Sequence, residues 1–307
     1  MHVDLVYKQL IQTVLDNGVW QPSQRQDTQC LSVLNTFYSL PVSFDQFPLI
    51  TTKKINWNPL IHELVWYLQG DSHIRDLQTK TKIWDLWANE QGQLESAYGR
   101  YWRNYPLPEG SWKPSDSLGG GSKWITEWGE SLVDSPQYVR YWSPEPGAPS
   151  LKVLDQLRLA IDTLKADPSS RRGLVFAWYP PNALVSKLPP CHFGFQLQVH
   201  NQQLHLTLFQ RSGDLLIGIP WNIAAYSLLL LAISQELEIE PGTFSHYIGN
   251  LHIYENQYGL EQEQLKREPY ELPQVRIQSR DCTSLTFEDF ELLNYQHHPF
   301  IKYPVTA

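Results

Sequence analysis

The residues able to do chemistry in this 307-residue chain fall into a few short clusters. Cys191 stands in Leu188-Pro189-Pro190-Cys191-His192. Two prolines constrain the backbone ahead of the thiol, and a thiol held in place in advance suits a nucleophile. A small apolar side chain packed in the core is the competing reading. Gln210-Arg211-Ser212-Gly213-Asp214 offers a planar guanidinium fork, a hydroxyl and a glycine that lets backbone approach a ligand, a set suited to phosphate or carboxylate. A polar turn at a strand end has the same composition. Ser170-Arg171-Arg172 follows Asp167-Pro168 and is either a two-fork clamp for a dianion or a solvated charge pair. Glu63 stands beside Trp66 and Tyr67 on an otherwise apolar helix. Lost hydration there would raise its pKa toward that of a general acid or base, unless Glu63 lies on the wet face. Asn222 follows Pro220-Trp221, and its amide both donates and accepts, as the edge of a pyrimidine requires; a helix cap is the alternative. His252 and Tyr254 are two apart on a strand and share one face, either to meet a sugar hydroxyl or as the satisfied polar tips of a half-buried strand.

The elements that must position these groups follow from periodicity and punctuation. Residues 3–15 carry apolar side chains at helical spacing, and Asn17-Gly18 ends the helix. Residues 20–50 read as turns and short strands, punctuated by Pro41 and Pro48. Residues 57–69 predict an amphipathic helix ending at Gly70, and 74–77 start another. Residues 151–164 return to helical spacing, and 174–178 read as a buried strand. Alternating apolar residues in 193–199 and 204–208, with Asn201-Gln202 between, predict a hairpin. Residues 221–237 are apolar nearly all round, as in a core helix, and a further strand and helix occupy 243–266. Helices and strands mix without regular alternation and without an internal repeat, which favours an α+β fold. Residues 105–150 differ: they hold several prolines, Gly119-Gly120-Gly121, and Trp112, Trp124, Trp128 and Trp142. So many large aromatics need a surface to bury against, so this stretch reads as an insert or lid rather than a linker.

Composition narrows the function classes. The formal charge of −8 argues against a dedicated nucleic-acid binder while allowing a local basic pocket. Cys30, Cys191 and Cys282 are far apart with no C-x-x-C pair, which disfavours zinc and redox motifs and fits a reducing compartment. The start of the chain has no charged-then-apolar signal layout, and the longest apolar run, 228–233, is far too short to span a bilayer. A cytoplasmic protein that engages neither DNA nor membrane is expected. Phosphate-loop and dinucleotide glycine patterns are absent.

Read in order, a larger set of segments carries a resemblance. It runs through Pro48-Leu49-Ile50-Thr51-Thr52-Lys53-Lys54, the stretch from His62 to Asp71, Ile83-Trp84-Asp85-Leu86-Trp87-Ala88 and Tyr98-Gly99-Arg100. It continues through Asp167-Pro168-Ser169-Ser170-Arg171-Arg172, Pro190-Cys191-His192, Gln210-Arg211-Ser212-Gly213-Asp214 and Pro220-Trp221-Asn222-Ile223-Ala224. It ends with His252-Ile253-Tyr254, Phe287-Glu288-Asp289-Phe290 and Ile301-Lys302-Tyr303-Pro304-Val305. Together these segments resemble the thymidylate synthase family over nearly the whole chain except 105–150.

The resemblance implies an α+β, thymidylate synthase-like fold: a large mixed twisted sheet packed with helices, with sheets back to back in a homodimer. It implies one domain over 1–307 with the Trp/Pro/Gly-rich insert at about 105–150. It implies that Cys191 adds to carbon 6 of dUMP and that Arg211 stabilises the thiolate and holds the phosphate. Arg25 and Ser212 would complete the phosphate site, with Arg171 and Arg172 reaching across from the second subunit. Asn222 would read the uracil ring, with Gln210 and Asp214 also at the nucleotide, and His252 and Tyr254 would hold the deoxyribose hydroxyl. Glu63 would relay protons with Tyr98 and His192. Lys53, Trp84, Asp214 and Ala307 would contact the folate, and 5,10-methylenetetrahydrofolate would supply both carbon and hydride. No metal is implied.

The chain departs from the family pattern at Arg25-Gln26-Asp27-Thr28 and at Gly173, Tyr179, Ala225, Asn250 and Ala307. A deoxyuridylate (deoxypyrimidylate) hydroxymethylase, in which water captures the exocyclic methylene, shares these motifs. Asn222 favours uracil over cytosine, and Trp84, Asp214 and the tail favour a closed, dry site that protects hydride transfer. A non-catalytic nucleotide- or RNA-binding relative is disfavoured by the intact Cys191, Glu63 and Arg211.

Overall fold

Apolar side chains at helical spacing form α1 (Val3–Asn17), which buries Val3, Val6, Tyr7, Leu10, Ile11 and Val14. The computed structural model describes residues 2–23, 27–107, 137–143 and 147–306. Asp4, buried in the first turn of α1, accepts from the backbone N–H and the hydroxyl of both Thr51 and Thr52. Four donors satisfy a carboxylate that burial would otherwise penalise, and they tie the segment before the second helix onto α1.

β1 (Val19–Ser23) pairs antiparallel with β2 (Thr28–Pro41). β2 is a single 14-residue strand rather than the turns and short strands predicted over 20–50. Asn35, at φ 56°, interrupts it, and the buried residues change parity from Leu31 to Tyr38 and Leu40. That phase change hides the period-two signal. α2 (Trp57–Gln69) ends as predicted at Gly70, whose φ is 74°. α3 (Arg75–Gln78) follows Ile74. α4 (Tyr98–Arg103) lies hard against α2, because a Cβ on Gly99 would come within 2.2 Å of the Tyr67 carbonyl oxygen. That close approach places Tyr98 beside Tyr67.

β3 (Tyr105–Pro106), β4 (Val139–Trp142) and β5 (Leu151–Leu154) form a small antiparallel sheet in the order β3-β5-β4. These strands fall at and around the margins of the predicted insert. Residues 108–136, with Trp112, Trp124, Trp128 and the glycine run, lie outside the described residues. Trp142 does find a surface: the Arg100 guanidinium lies 5.0 Å from its ring centre. The helical reading of 151–164 is corrected: β5 comes first, and α5 (Gln156–Ala166) begins after Asp155, whose side chain caps the Arg158 N–H. β6 (Gly173–Phe176), which pairs with β7 (His192–His200), is half-buried rather than buried, with Leu174 38% and Phe176 40% exposed, because its side chains alternate between a covered and an uncovered face of the sheet. Between them lies α6 (Pro180–Val185).

β7 and β8 (Gln203–Gln210) form the predicted hairpin, and Asn201 and Gln202 both take positive φ in its two-residue turn. β9 (Gly213–Asp214) leads into α7 (Gly218–Leu237), which is buried along nearly its whole length. The remaining elements are β10 (Glu240–Tyr254), α8 (Glu261–Lys266), β11 (Gln274–Ile277) and β12 (Phe290–Leu293). Among the described residues the main sheet has seven strands, ordered β1-β2-β10-β8-β7-β6 with β9 on β10. β10 runs parallel to β8 and β9, and the other pairs are antiparallel, so the sheet is mixed and the fold α+β as expected. α7 packs on β8 and β10, and α1 on β2 and β10. No helix among the described residues is long and apolar enough to cross a membrane.

Candidate active site

Cys191 lies immediately before β7, and Arg211 immediately after β8. The hairpin register, which sets His192 opposite Gln210, brings them together. Arg211 N–H donates to the Cys191 carbonyl at 2.8 Å. Its guanidinium donates to the carbonyls of Pro190 at 2.9 Å and Pro189 at 2.7 Å, and Nη2 stands 3.7 Å from Cys191 Sγ. The prolines thus supply two carbonyls with fixed directions that aim the cation at the sulfur. The Arg211 guanidinium also lies 5.9 Å from the Trp178 ring centre. From the other side, the Cys191 N–H donates to the Tyr98 hydroxyl at 3.0 Å.

Glu63 lies on the buried face of α2, not on a wet one. Trp84 Nε1–H donates to Oε1 at 2.7 Å, and Trp221 Nε1–H donates to Oε2. Burial raises the carboxyl pKa, while hydrogen bonds from Trp221, Tyr67 and Trp84 pull it back. His192 is also buried, which drives its pKa well below the usual value, helped by His246. Its Nδ1 is 2.6 Å from the Tyr226 hydroxyl, and its ring stacks on Tyr98 with centres 3.5 Å apart. Burial holds the Tyr98 phenol pKa well above the ordinary value, with the nearby Cys191 adding to the effect. At neutral pH this region is therefore a file of uncharged donors and acceptors beside one carboxyl group.

Two adjoining cavities meet at the thiol. The outer one, about 780 Å³, is lined by Cys191, Arg211, Ser212, His252 and Tyr254 among others. The inner one, about 190 Å³, is lined by Glu63, Tyr98, His192, Gln210 and Asn222 among others. Cys191, Ser212, Asp214 and Gly218 line both. His252 and Tyr254 share a face of β10 as predicted, with ring centres 4.8 Å apart, and His252 Nδ1 lies 2.9 Å from Asn250 Oδ1. Asn222 is inside α7 rather than at its cap, because the helix starts at Gly218. Among the described residues no three His, Cys, Asp or Glu side chains cluster as metal ligands.

This geometry accompanies a match in sequence. A sequence model of the thymidylate synthase family matches residues 5–307. The chain belongs to the thymidylate synthase family. A thymidylate synthase from Haloferax volcanii is 40% identical over 248 residues, which are 80% of this chain. The match spans 65% of that relative's length, slightly under two thirds.

Within this thymidylate synthase fold, the predicted residues separate into four groups. Cys191, His192, Arg211, Ser212, Asp214, Asn222, His252, Tyr254, Glu63, Tyr98, Gln210 and Trp84 all line one or both cavities. Arg171 and Arg172 line neither and are exposed on the loop before β6. Lys53 is buried outside both, its ammonium donating to the Leu216 carbonyl and lying 4.7 Å from the Tyr303 ring centre. Arg25 and Ala307 lie outside the described residues. A Cβ on Gly213 would come within 2.6 Å of Ile219 Cδ1, so its smallness admits a core side chain.

Several partners were invisible as such in the sequence. Trp221 holds Glu63 from 158 positions away, and Tyr226 holds His192. Gln257 donates to Asp214 Oδ2 and to the Pro304 carbonyl, each at 3.0 Å, linking the cavity wall to the C-terminal segment. The only available signal was the dense polar-aromatic content of a helix otherwise fit for a core, at Trp221, Asn222 and Tyr226.

Proposed function

We propose that this chain catalyses the reductive methylation of dUMP to dTMP, with 5,10-methylenetetrahydrofolate as carbon and hydride donor. The observation that carries this reading is the Cys191–Arg211 contact at the junction of the two cavities, with Glu63 desolvated in the inner one. A guanidinium beside a sulfur favours the thiolate, the nucleophilic form.

In this reading Arg211 and Ser212, with Arg25, hold the phosphate, and Arg171 and Arg172 add to it from a second copy. His252 and Tyr254 take the deoxyribose hydroxyl. Asn222 and Gln210 meet the uracil edge, and Asp214 lies alongside. The Cys191 thiolate bonds to carbon 6, and the C5=C6 electron pair moves to carbon 5 and the adjacent carbonyl oxygen. Carbon 5 is then the nucleophile toward the one-carbon unit. Its own proton must leave later, and Glu63, Tyr98 and His192 supply the neutral relay for proton traffic. Expulsion of Cys191 restores the C5=C6 bond. The bound cosubstrate supplies the one-carbon unit and then a hydride, and leaves as dihydrofolate. The outer cavity fits it: the volume suits a large flat ligand, Trp87, Leu188 and Val305 give apolar walls, and Asp214 gives a polar anchor. Trp84, on the inner cavity, and Asp214, on both, are the folate contacts among the lining residues, with Ala307 as a further one; Lys53, expected there from the sequence, is buried outside both cavities on the Leu216 carbonyl and makes no such contact.

The same reading makes the chain one catalytic domain, with the stretch around 105–150 as its insert, acting as a homodimer in the cytoplasm. Exposed Leu34, Phe37, Leu174 and Phe176 on the main sheet support a second copy against it, because water-exposed apolar side chains gain by burial. The three cysteines form no disulfide, as a reducing compartment favours.

The test is a paired assay with dUMP tritiated at carbon 5 and methylenetetrahydrofolate. Tritium release and dihydrofolate formation in equal amounts are expected. Tritium release without dihydrofolate would make the product a hydroxymethyl nucleotide, and release of neither would remove the reading.

A further inference from the structure

A buried polar chain runs from the middle of the main sheet to the turn that carries Arg211 and Ser212. Tyr38 on β2 stands opposite His246 on β10, and its hydroxyl is 2.7 Å from His246 Nδ1. His246 Nε2 is 2.9 Å from Gln210 Oε1, and Gln210 Nε2–H donates to the Ser212 carbonyl at 2.9 Å. His246 is fully buried, Gln210 2% exposed and Tyr38 8% exposed. Neither Tyr38 nor His246 lines either cavity, whereas Gln210 and Ser212 do.

The chain has only one consistent direction. A carbonyl can only accept, so the Ser212 oxygen fixes which end of the Gln210 amide faces the turn. The amide oxygen must then face His246, so Nε2 carries the imidazole proton. Burial lowers the His246 pKa to about 3, so the ring is neutral and Nδ1 keeps its lone pair. Burial also holds the Tyr38 phenol well above its ordinary pKa, so Tyr38 keeps the proton that Nδ1 accepts. If His246 moved its proton to Nδ1, the Gln210 amide would have to turn, setting Oε1 against the Ser212 oxygen. Two acceptors face to face, one of them on the buried Gln210 amide, are costly, so tautomer and turn are coupled.

We propose that Tyr38 and His246 are positioning residues that fix the Gln210 amide and, through it, the Arg211–Ser212–Gly213 turn for nucleotide binding. This rests on the reading of the cavities as a dUMP site.

The test uses the full-length protein with 15N-labelled imidazoles, together with dUMP binding and kinetics. In the unliganded wild type, His246 is expected as the Nε2–H tautomer. Tyr38→Phe is expected to raise the dUMP KM by roughly 2- to 10-fold, the range of one net hydrogen bond, with a smaller change in kcat. His246→Leu is expected to raise it further. His246→Gln, which can accept from Tyr38 and donate to Gln210, is expected to restore most of the loss. An Nδ1–H tautomer in the wild type would overturn this inference alone, without touching the proposed activity. So would a fall in melting temperature in Tyr38→Phe and His246→Leu with dUMP KM unchanged, or failure of His246→Gln to restore KM. No dUMP binding by the wild type would overturn the nucleotide reading and this inference with it.

Discussion

Arg211 is held at the cavity rim by backbone carbonyls, whereas Glu63 is held in the interior by two indole N–H groups. Carbonyls orient a guanidinium without neutralising it. Among the described residues no carboxylate comes within ion-pair distance of Arg211, so its charge stays unneutralised beside the Cys191 sulfur. The indoles have the complementary effect. They satisfy the Glu63 oxygens without adding a cation, so burial can raise the carboxyl pKa without leaving either oxygen orphaned. One region preserves a charge, and the other lets burial raise a carboxyl pKa while its oxygens stay hydrogen-bonded. The comparison teaches that the choice of hydrogen-bond partner, not only of the acid or base, sets what each group can do.

The largest effect expected from breaking this arrangement is at the rim. Cys191→Ala should lower turnover by about 10⁴-fold or more while dUMP still binds, as is typical when a covalent nucleophile is removed. Near-normal turnover would end the nucleophile assignment. Next comes the interior. Glu63→Gln preserves shape but removes the titrating group, and kcat should drop by roughly 10²- to 10³-fold with tritium release slowed in parallel. Equal tritium release in variant and wild type would place the proton relay elsewhere.

A subtler variant sharpens the contrast. Trp221→Phe deletes a donor that favours the charged form of Glu63. Losing it should raise the carboxyl pKa further, so the limb of the kcat–pH profile governed by Glu63 should move to higher pH. A shift in the opposite direction would contradict the role given to the indole.

The smallest test reads stability rather than turnover. Burial lowers the Lys53 pKa from 10.5 to about 7, with Asp214 partly opposing. Between those values the unfolded chain holds a proton that the folded chain lacks, so stability should rise with pH across that window. Lys53→Met should remove this slope, measured by denaturant unfolding at about pH 7 and about pH 10. Parallel pH dependence in variant and wild type would show that Lys53 is well solvated.

What the sequence determined by itself is local in origin. Helix ends at Asn17-Gly18 and Gly70, and the Asn201-Gln202 turn, follow from backbone preferences that act within a few residues. So do the constrained position of the Cys191 thiol after two prolines and the shared face of His252 and Tyr254. Where a local signal was broken, the reading failed: the phase change at Asn35 concealed β2, and an Asp155 cap split the apparent helix over 151–164. What only the tertiary structure decided is which groups are partners. Trp221 with Glu63, Tyr226 with His192, Gln257 with Asp214, and Tyr38 with His246 and Gln210 come from different elements. No spacing rule encodes such pairs, because they arise when the sheet and the buried helix α7 close on each other. Protonation state follows the same logic: it depends on the water removed and the donors supplied at that step, and neither exists until the chain has folded.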